Sequence, residues 1–162
     1  MRLPKHLLPW LAFAHDAGAA HGVDPMLVLA VIDRESLGGL TLTPVGPTGT
    51  GDDGHGLGLM QIDERYHGDW ARKTNDDGVA LWQLPGENID MGASILAANL
   101  HTLEGYEPGA VCAYNASMAK VRTTLARLAD AGEATRLLAL DRLTTGGNYV
   151  TDTLARRTRY AG

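Results

Sequence analysis

The chain has 162 residues, 44% of them hydrophobic and 20% charged, enough apolar content to bury one domain-sized core and too little charge for a disordered chain. Nineteen acidic residues against fourteen basic ones leave a net charge of -5, which excludes the broad cationic field that non-specific nucleic-acid binding needs. No apolar run approaches the length of a bilayer span, and the single cysteine, Cys112, rules out an internal disulfide.

With only 6% aromatic residues, the core is expected to be Leu, Val, Ile and Ala, a mixture that leans toward helix. Met1 to His21 loosely resembles a secretory leader, but Pro9 breaks its apolar run and His15 and Asp16 follow at once. Leu7, Leu11, Ala14 and Gly18 instead fall at the spacing of an amphipathic first helix, so no cleaved leader is expected. Asp24-Pro25 pairs an N-cap side chain with a proline at the first helical position, and an unbroken apolar run from Met26 to Ile32 follows. Such a helix belongs in the middle of a core. It turns polar at Asp33-Arg34-Glu35-Ser36 and ends at Gly38-Gly39.

Residues 38 to 58, rich in Gly, Pro and Thr, predict a long loop, with a short strand over Leu57 to Ile62 and a small hairpin. A second loop is predicted over 70 to 86. Helices are predicted from about Glu87, from Pro108 through Asn115, over Met118 to Asp130, over Glu133 to Arg142, and over Asn148 to Tyr160. Arg156, Arg157 and Arg159 would then sit at the end of the last helix, facing its negative pole. Cys112, inside Ala-Val-Cys-Ala-Tyr, reads as a buried structural thiol. Trp10, Trp70 and Trp82 read as packing residues, with Trp70 and Trp82 also placed to stack on a ligand. The sum, over residues 1 to 162, is one mainly α (α+β) domain around a central buried helix, with a small glycine-rich hairpin.

Glu35 is the residue whose setting suggests chemistry. It follows an apolar helix, where poor solvation disfavours ionisation, and it stands at that helix's negative pole. Both effects raise its pKa, as a general acid for glycosidic bond cleavage requires. The alternative is a surface glutamate paired with Arg34. Downstream, Asp52 and Asp63 are candidate bases that could activate a water on the opposite face of a sugar, with Asp53 beside Asp52 as a rival. The intervening glycines would let backbone approach an extended ligand.

Other readings of this segment are weaker. Gly49-x-Gly51-x-x-Gly54 spells a dinucleotide fingerprint, but Pro44 and Pro47 spoil the strand before it and Gly56 and Gly58 the helix after it. Gly54 stands where an EF-hand needs Asp or Asn. Asp52, Asp53, His55, Asp63 and His67 lack the spacing of a metal site, so neither metal nor cofactor is expected.

Three segments carry a resemblance: Ala30-Val31-Ile32-x-x-Glu35-Ser36, Gly56-Leu57-Gly58-Leu59-Met60-Gln61-Ile62, and Ala113-Tyr114-Asn115-Ala116. In this order they resemble motifs of the goose-type lysozymes and the soluble lytic transglycosylases. Gly51-Asp52-x-Gly54-x-Gly56 and the aspartate after Gln-Ile bring the chain nearer the goose-type branch. The resemblance implies Glu35 as catalytic acid, Asp52 and Asp63 as water-positioning carboxylates, and Gln61, Tyr114 and Asn115 along a sugar groove, with Ser36 and His55 also at the substrate. Tyr149 resembles the tyrosine that orients the glutamate in these folds. Ser117 departs from the pattern, standing where the third motif usually has glycine, and residues 120 to 146 are longer than the family core.

The function implied is a monomeric muramidase that hydrolyses the β-1,4 bond between N-acetylmuramic acid and N-acetylglucosamine of bacterial peptidoglycan, with inversion. Two alternatives remain. One is a lytic transglycosylase giving 1,6-anhydro products; the other is a wall-binding module without activity. A cytoplasmically made phage endolysin, a bacterial remodelling enzyme and an exported effector are all compatible with such a chain.

Overall fold

The computed structural model describes residues 3–162; of the leader-like segment, Met1 and Arg2 lie outside the described residues. A 3-10 turn over Lys5–Trp10 leads into α1, Leu11–His21, which buries Ala14, Ala17 and Gly18. Helix α2, Pro25–Ser36, starts as its sequence predicts: the Asp24 side chain accepts from Met26 N–H at 2.9 Å, and Pro25 needs no partner for an N–H it lacks. From Leu27 to Ile32 every residue is no more than 1% exposed, so α2 runs through the core rather than along its edge. Around it pack α1, α4 (Pro85–Thr102) and α8 (Tyr149–Ala161), with α5 (Glu107–Asn115) between α4 and α8. Helices α6 (Met118–Arg127) and α7 (Glu133–Asp141) lie against α5 and close the far side.

Between α2 and α4 lies a three-stranded antiparallel sheet of two-residue strands: β1 Thr50–Gly51, β2 Gly56–Leu57 and β3 Ile62–Asp63. Thr50 pairs with Leu57, and Gly56 with Asp63. Leu57 to Ile62 is therefore not one strand but two arms and a reversal. Gly58 and Gln61 both take left-handed backbone, with φ of 66° and 49°, which turns the chain and drops Leu59 and Met60 into the core. A Cβ on Gly51 or Gly56 would fall 2.2 or 2.3 Å from the Gln61 Oε1, so the Gln61 side chain fits only against glycines.

Helix α3, Glu64–Ala71, was not foreseen; its N-cap is Asp63, which accepts from Arg65 N–H at 2.9 Å. The loop after it is correspondingly shorter. Asn75 Oδ1 accepts from Asp77 and Val79 N–H, and α4 begins at Pro85, two residues before the expected start. Helix α6 stops at Arg127 rather than Asp130, and Arg136 Nε donates to the Leu128 carbonyl just beyond it.

The arginines of α8 differ from expectation. Only Arg159 is in the last turn. Arg156 instead binds Asp33 and Asp152, and Arg157 binds Asp24 at 2.7 Å, so both lie along the contact with α2. Asp33 is buried, which pushes its carboxyl up, but bonds from Tyr160, His6 and Arg156 outweigh that and hold it below the ordinary range. Cys112 is buried with its thiol on the Leu140 carbonyl, and burial first, the nearby Asp141 charge second, push it up to about 12; it is inert at physiological pH. Trp10 and Trp70 pack against the core, and Trp10 Nε1 donates to the Gly38 carbonyl.

Asn88 of α4 couples the core to the hairpin. Wholly buried, it accepts from Met60 N–H at 2.9 Å and donates to the Leu57 carbonyl at 3.0 Å. Asn88→Ala leaves both backbone groups buried without partners and is expected to cost about 2–4 kcal/mol, read as a lower denaturation midpoint in urea.

Candidate active site

Glu35 stands in the last turn of α2, with a minor part of its surface still open. Its carboxyl meets the first residue of α8: Tyr149 Oη donates to Glu35 Oε1. Tyr149 is 2% exposed, so it reaches the carboxyl from inside the protein. Burial is the largest influence on Glu35 and raises its pKa to about 7, against smaller opposing effects of the Tyr149 bond and the Arg34 charge. Arg34 does not pair with Glu35. Its guanidinium bonds Asp152 at 3.3 Å and Asn148 at 2.9 Å, and lies 5.4 Å from the centre of the Tyr149 ring, within cation–π range.

The start of α8 is itself held by the segment between 120 and 146. Asp141, buried at the end of α7, accepts from Val150 and Thr151 N–H and from the Thr151 hydroxyl. The extra length noted in the sequence thus anchors the helix whose first residue touches Glu35.

A groove of about 460 Å³ opens between the hairpin, α3 and the α5–α6 junction. Gln61, Asp63, Tyr66, His67, Tyr114 and Asn115 are among the residues on its wall. Glu35 is not on that wall; Tyr114 links the two, lining the groove while standing close enough to Glu35 for the carboxylate charge, after burial, to raise its own pKa well above the ordinary value. Tyr114 Oη donates to the Met60 carbonyl at 2.9 Å, which pins the hairpin turn to α5. Gln61 Nε2 donates to the Gly56 and Gly58 carbonyls, and Asn115 Oδ1 accepts from Thr145 N–H, so both brace the fold while lining the groove.

Two expected substrate residues lie elsewhere. Ser36 is 0% exposed, and its hydroxyl donates to the Leu59 carbonyl at 2.7 Å and accepts from Gly39 N–H, because the helix end where it sits is covered by the hairpin. It joins α2 to the sheet and cannot touch a ligand. His55 is away from the groove wall, with Nδ1 bonded to Glu64 Oε1 at 3.0 Å. Tyr149, also counted among substrate contacts, is inside and touches only the glutamate of the two.

Asp52 and Asp63 are brought together by a residue the sequence reading passed over. Arg65 Nη2 donates to Asp52 Oδ2 at 2.7 Å and to Asp63 Oδ2 at 2.6 Å. The bond from Arg65 is the largest influence on Asp63 and holds it below the usual carboxylate range. A cation two residues after an aspartate that begins a helix was the available signal. Asp53, like Asp52, has left-handed backbone and is exposed.

Residues 13–136 match the family of transglycosylase SLT domains. The chain is 30% identical over 148 residues to lysozyme g of Casuarius casuarius, a match covering 85% of this chain and 65% of that protein. It is 34% identical over 97 residues to the endo-type membrane-bound lytic murein transglycosylase A of Klebsiella pneumoniae, covering 57% of this chain and 44% of the other. The structure of an inactive mutant of the lytic transglycosylase Slt from Pseudomonas aeruginosa superposes with a TM-score of 0.68 at 19% identity, over 93% of this chain and 23% of that one. The chain thus spans about two thirds or less of these relatives' lengths. A central buried helix with a glutamate in its last turn, a glycine-rich hairpin laid over its end, and a match through most of the length place this chain in the transglycosylase SLT domain family, with similarity to lysozyme g as well.

Proposed function

We propose that the chain is a muramidase, hydrolysing the β-1,4 bond between N-acetylmuramic acid and N-acetylglucosamine in bacterial peptidoglycan with inversion. The observation that carries this reading is Glu35: a carboxyl whose proton persists to about pH 7, oriented by Tyr149 and next to a tyrosine of an open groove. Protonating a poor leaving oxygen needs an acid of that strength. The names of the relatives, lysozyme and murein transglycosylase, support the substrate class. Hydrolysis is favoured over transglycosylation by the two aspartates that Arg65 joins on the hairpin side, since a reaction that uses the sugar's own hydroxyl has no need to order water.

In the proposed reaction the glycan lies in the groove, Glu35 gives its proton to the bridging oxygen, and a water held by an aspartate attacks the anomeric carbon from the opposite face. Tyr149 fixes the Glu35 rotamer and Arg34 keeps Tyr149 in place, so the acid is oriented before substrate arrives.

Glu35→Gln keeps the shape and loses the proton. It is expected to lower release of reducing ends from purified walls by about 10² to 10⁴-fold, and wild-type rates in that variant would remove Glu35 from the role. The mass of wild-type products decides the reaction: hydrated sugars for a muramidase, anhydro sugars lighter by one water for a transglycosylase.

Activity should fall as pH rises through about 7, where Glu35 loses its proton. Arg34→Met removes the cation that favours the ionised form, and should move that falling limb to higher pH, read from the pH profile of wall hydrolysis.

Stability carries the same signature. Glu35 holds its proton more tightly folded than unfolded, so the wild type loses stability as pH rises from the ordinary value of 4.5 through about 7. Glu35→Gln escapes that loss. Above about pH 7 it should be more stable than the wild type by at most about 3 kcal/mol, read as a higher melting temperature, and the difference should vanish below about pH 4.5.

A further inference from the structure

The two aspartates differ in what their oxygens have left to offer. A carboxylate has about four acceptor positions. On Asp63 one residue engages both oxygens through three N–H groups, its single Nε–H being shared between them. Oδ1 accepts from the Arg65 backbone N–H at 2.9 Å and from Arg65 Nε at 2.9 Å; Oδ2 accepts from Nε at 3.1 Å and Nη2 at 2.6 Å. Asp52 spends a single position, Oδ2 on the same Nη2 at 2.7 Å, and among the described residues its Oδ1 has no hydrogen-bond partner.

Their backbones differ in the same sense. Asp63 ends β3, caps α3 and is 26% exposed, the setting of an anchor. Asp52 is 62% exposed and takes a left-handed φ of 48°, with Asp53 left-handed after it, so two successive non-glycine residues adopt a disfavoured conformation to present these side chains. Because one nitrogen holds an oxygen of each aspartate, Asp52 stands beside the edge of the groove that Asp63 lines.

We propose that Arg65 divides the labour of the acid pair: it engages both oxygens of Asp63, which becomes the anchor, and leaves Asp52 as the carboxylate that receives the proton of the attacking water. The inference rests on the hydrolytic reading above. In that step the water oxygen bonds to the anomeric carbon as the bond from that carbon to the bridging oxygen breaks. The Glu35 proton goes to the bridging oxygen, and one water proton goes to Asp52 Oδ1. Proton exchange with solvent then resets both carboxyls. Arg65 is a positioning residue, since it acts through the aspartates rather than on the sugar.

Azide tests the assignment, because a small anionic nucleophile attacks without needing a base. Asp52→Ala is expected to lose about a hundredfold or more in reducing-end release, and azide should restore bond cleavage about tenfold, read by mass spectrometry as a glycosyl azide because that product has no reducing end. Asp63→Asn, which keeps the side-chain volume and a capping oxygen, should lose less and gain nothing from azide. Arg65→Ala added to Asp52→Ala frees Asp63 Oδ2, with only the backbone N–H left on Oδ1, and should return several-fold of hydrolysis with no azide present. Rescue of Asp63→Asn by azide, alone or alongside Asp52→Ala, overturns the assignment. A double variant no faster than Asp52→Ala overturns the role given to Arg65. Anhydro products from the wild type, run in parallel, would instead overturn the hydrolytic reading and this inference with it.

Discussion

One carboxyl kept out of water at the end of an apolar helix is the constraint around which this structure is arranged. Burial of Glu35 opposes its ionisation and therefore costs stability at neutral pH. The cost is tolerable because α2 is buried on every side over Leu27 to Ile32 and is bound to its neighbours by Asp24 and Asp33 as well as by packing. Among the described residues, Tyr149 supplies the one hydrogen bond that sets the direction of the carboxyl. Its position depends on α8, and α8 depends on the Asp141 cap from α7. This series of contacts ends on one oxygen, its last link joining residues 114 apart in sequence.

The hairpin meets the same constraint from the other side. It is too short to be stable as an isolated sheet, with three strands of two residues each. It is held by groups outside it: Ser36 on the Leu59 carbonyl, Asn88 on Met60 and Leu57, Tyr114 on the Met60 carbonyl. Leu59 and Met60 fill the core beneath, and Gln61 closes the turn on its own glycines. Three residues that read as ligand contacts thus brace the hairpin, and two of them, Gln61 and Tyr114, line the groove as well. A rigid wall is what a site needs if its geometry is to precede its ligand.

Two arginines separate the charges. Arg34 is turned from its neighbour Glu35 toward Asp152, Asn148 and the face of Tyr149, so it eases ionisation of Glu35 without neutralising it. Arg65 joins Asp52 to Asp63 and keeps Asp63 ionised. One acid retains its proton near neutral pH while another, on the groove wall, is held charged, and two carboxyls whose pKa values are pushed apart in this way are the arrangement acid and base chemistry calls for.

Much of this was legible in the residues alone. The all-apolar run after Asp24-Pro25 marked the central helix, because a helix with no polar face has nowhere to go but the interior. The same run, ending on Glu35, indicated the upward direction of its pKa, since both solvation and the helix pole act locally. Gly51, Gly56 and Gly58 read as giving a ligand close access to backbone, whereas in the fold Gly51 and Gly56 take the Gln61 side chain and Gly58 packs on Asn88. Which partners each polar side chain found was decided only by tertiary packing. Ser36 turned inward because the hairpin covers it, Arg34 found α8 more than a hundred positions away, and Leu57 to Ile62 became a reversal because Asn88 and the core captured its middle. Helix α3 and the Arg65 clamp were missed because a short polar helix has no apolar period to announce it, and a guanidinium reaches an acceptor such as Asp52 only once the hairpin has folded back on itself.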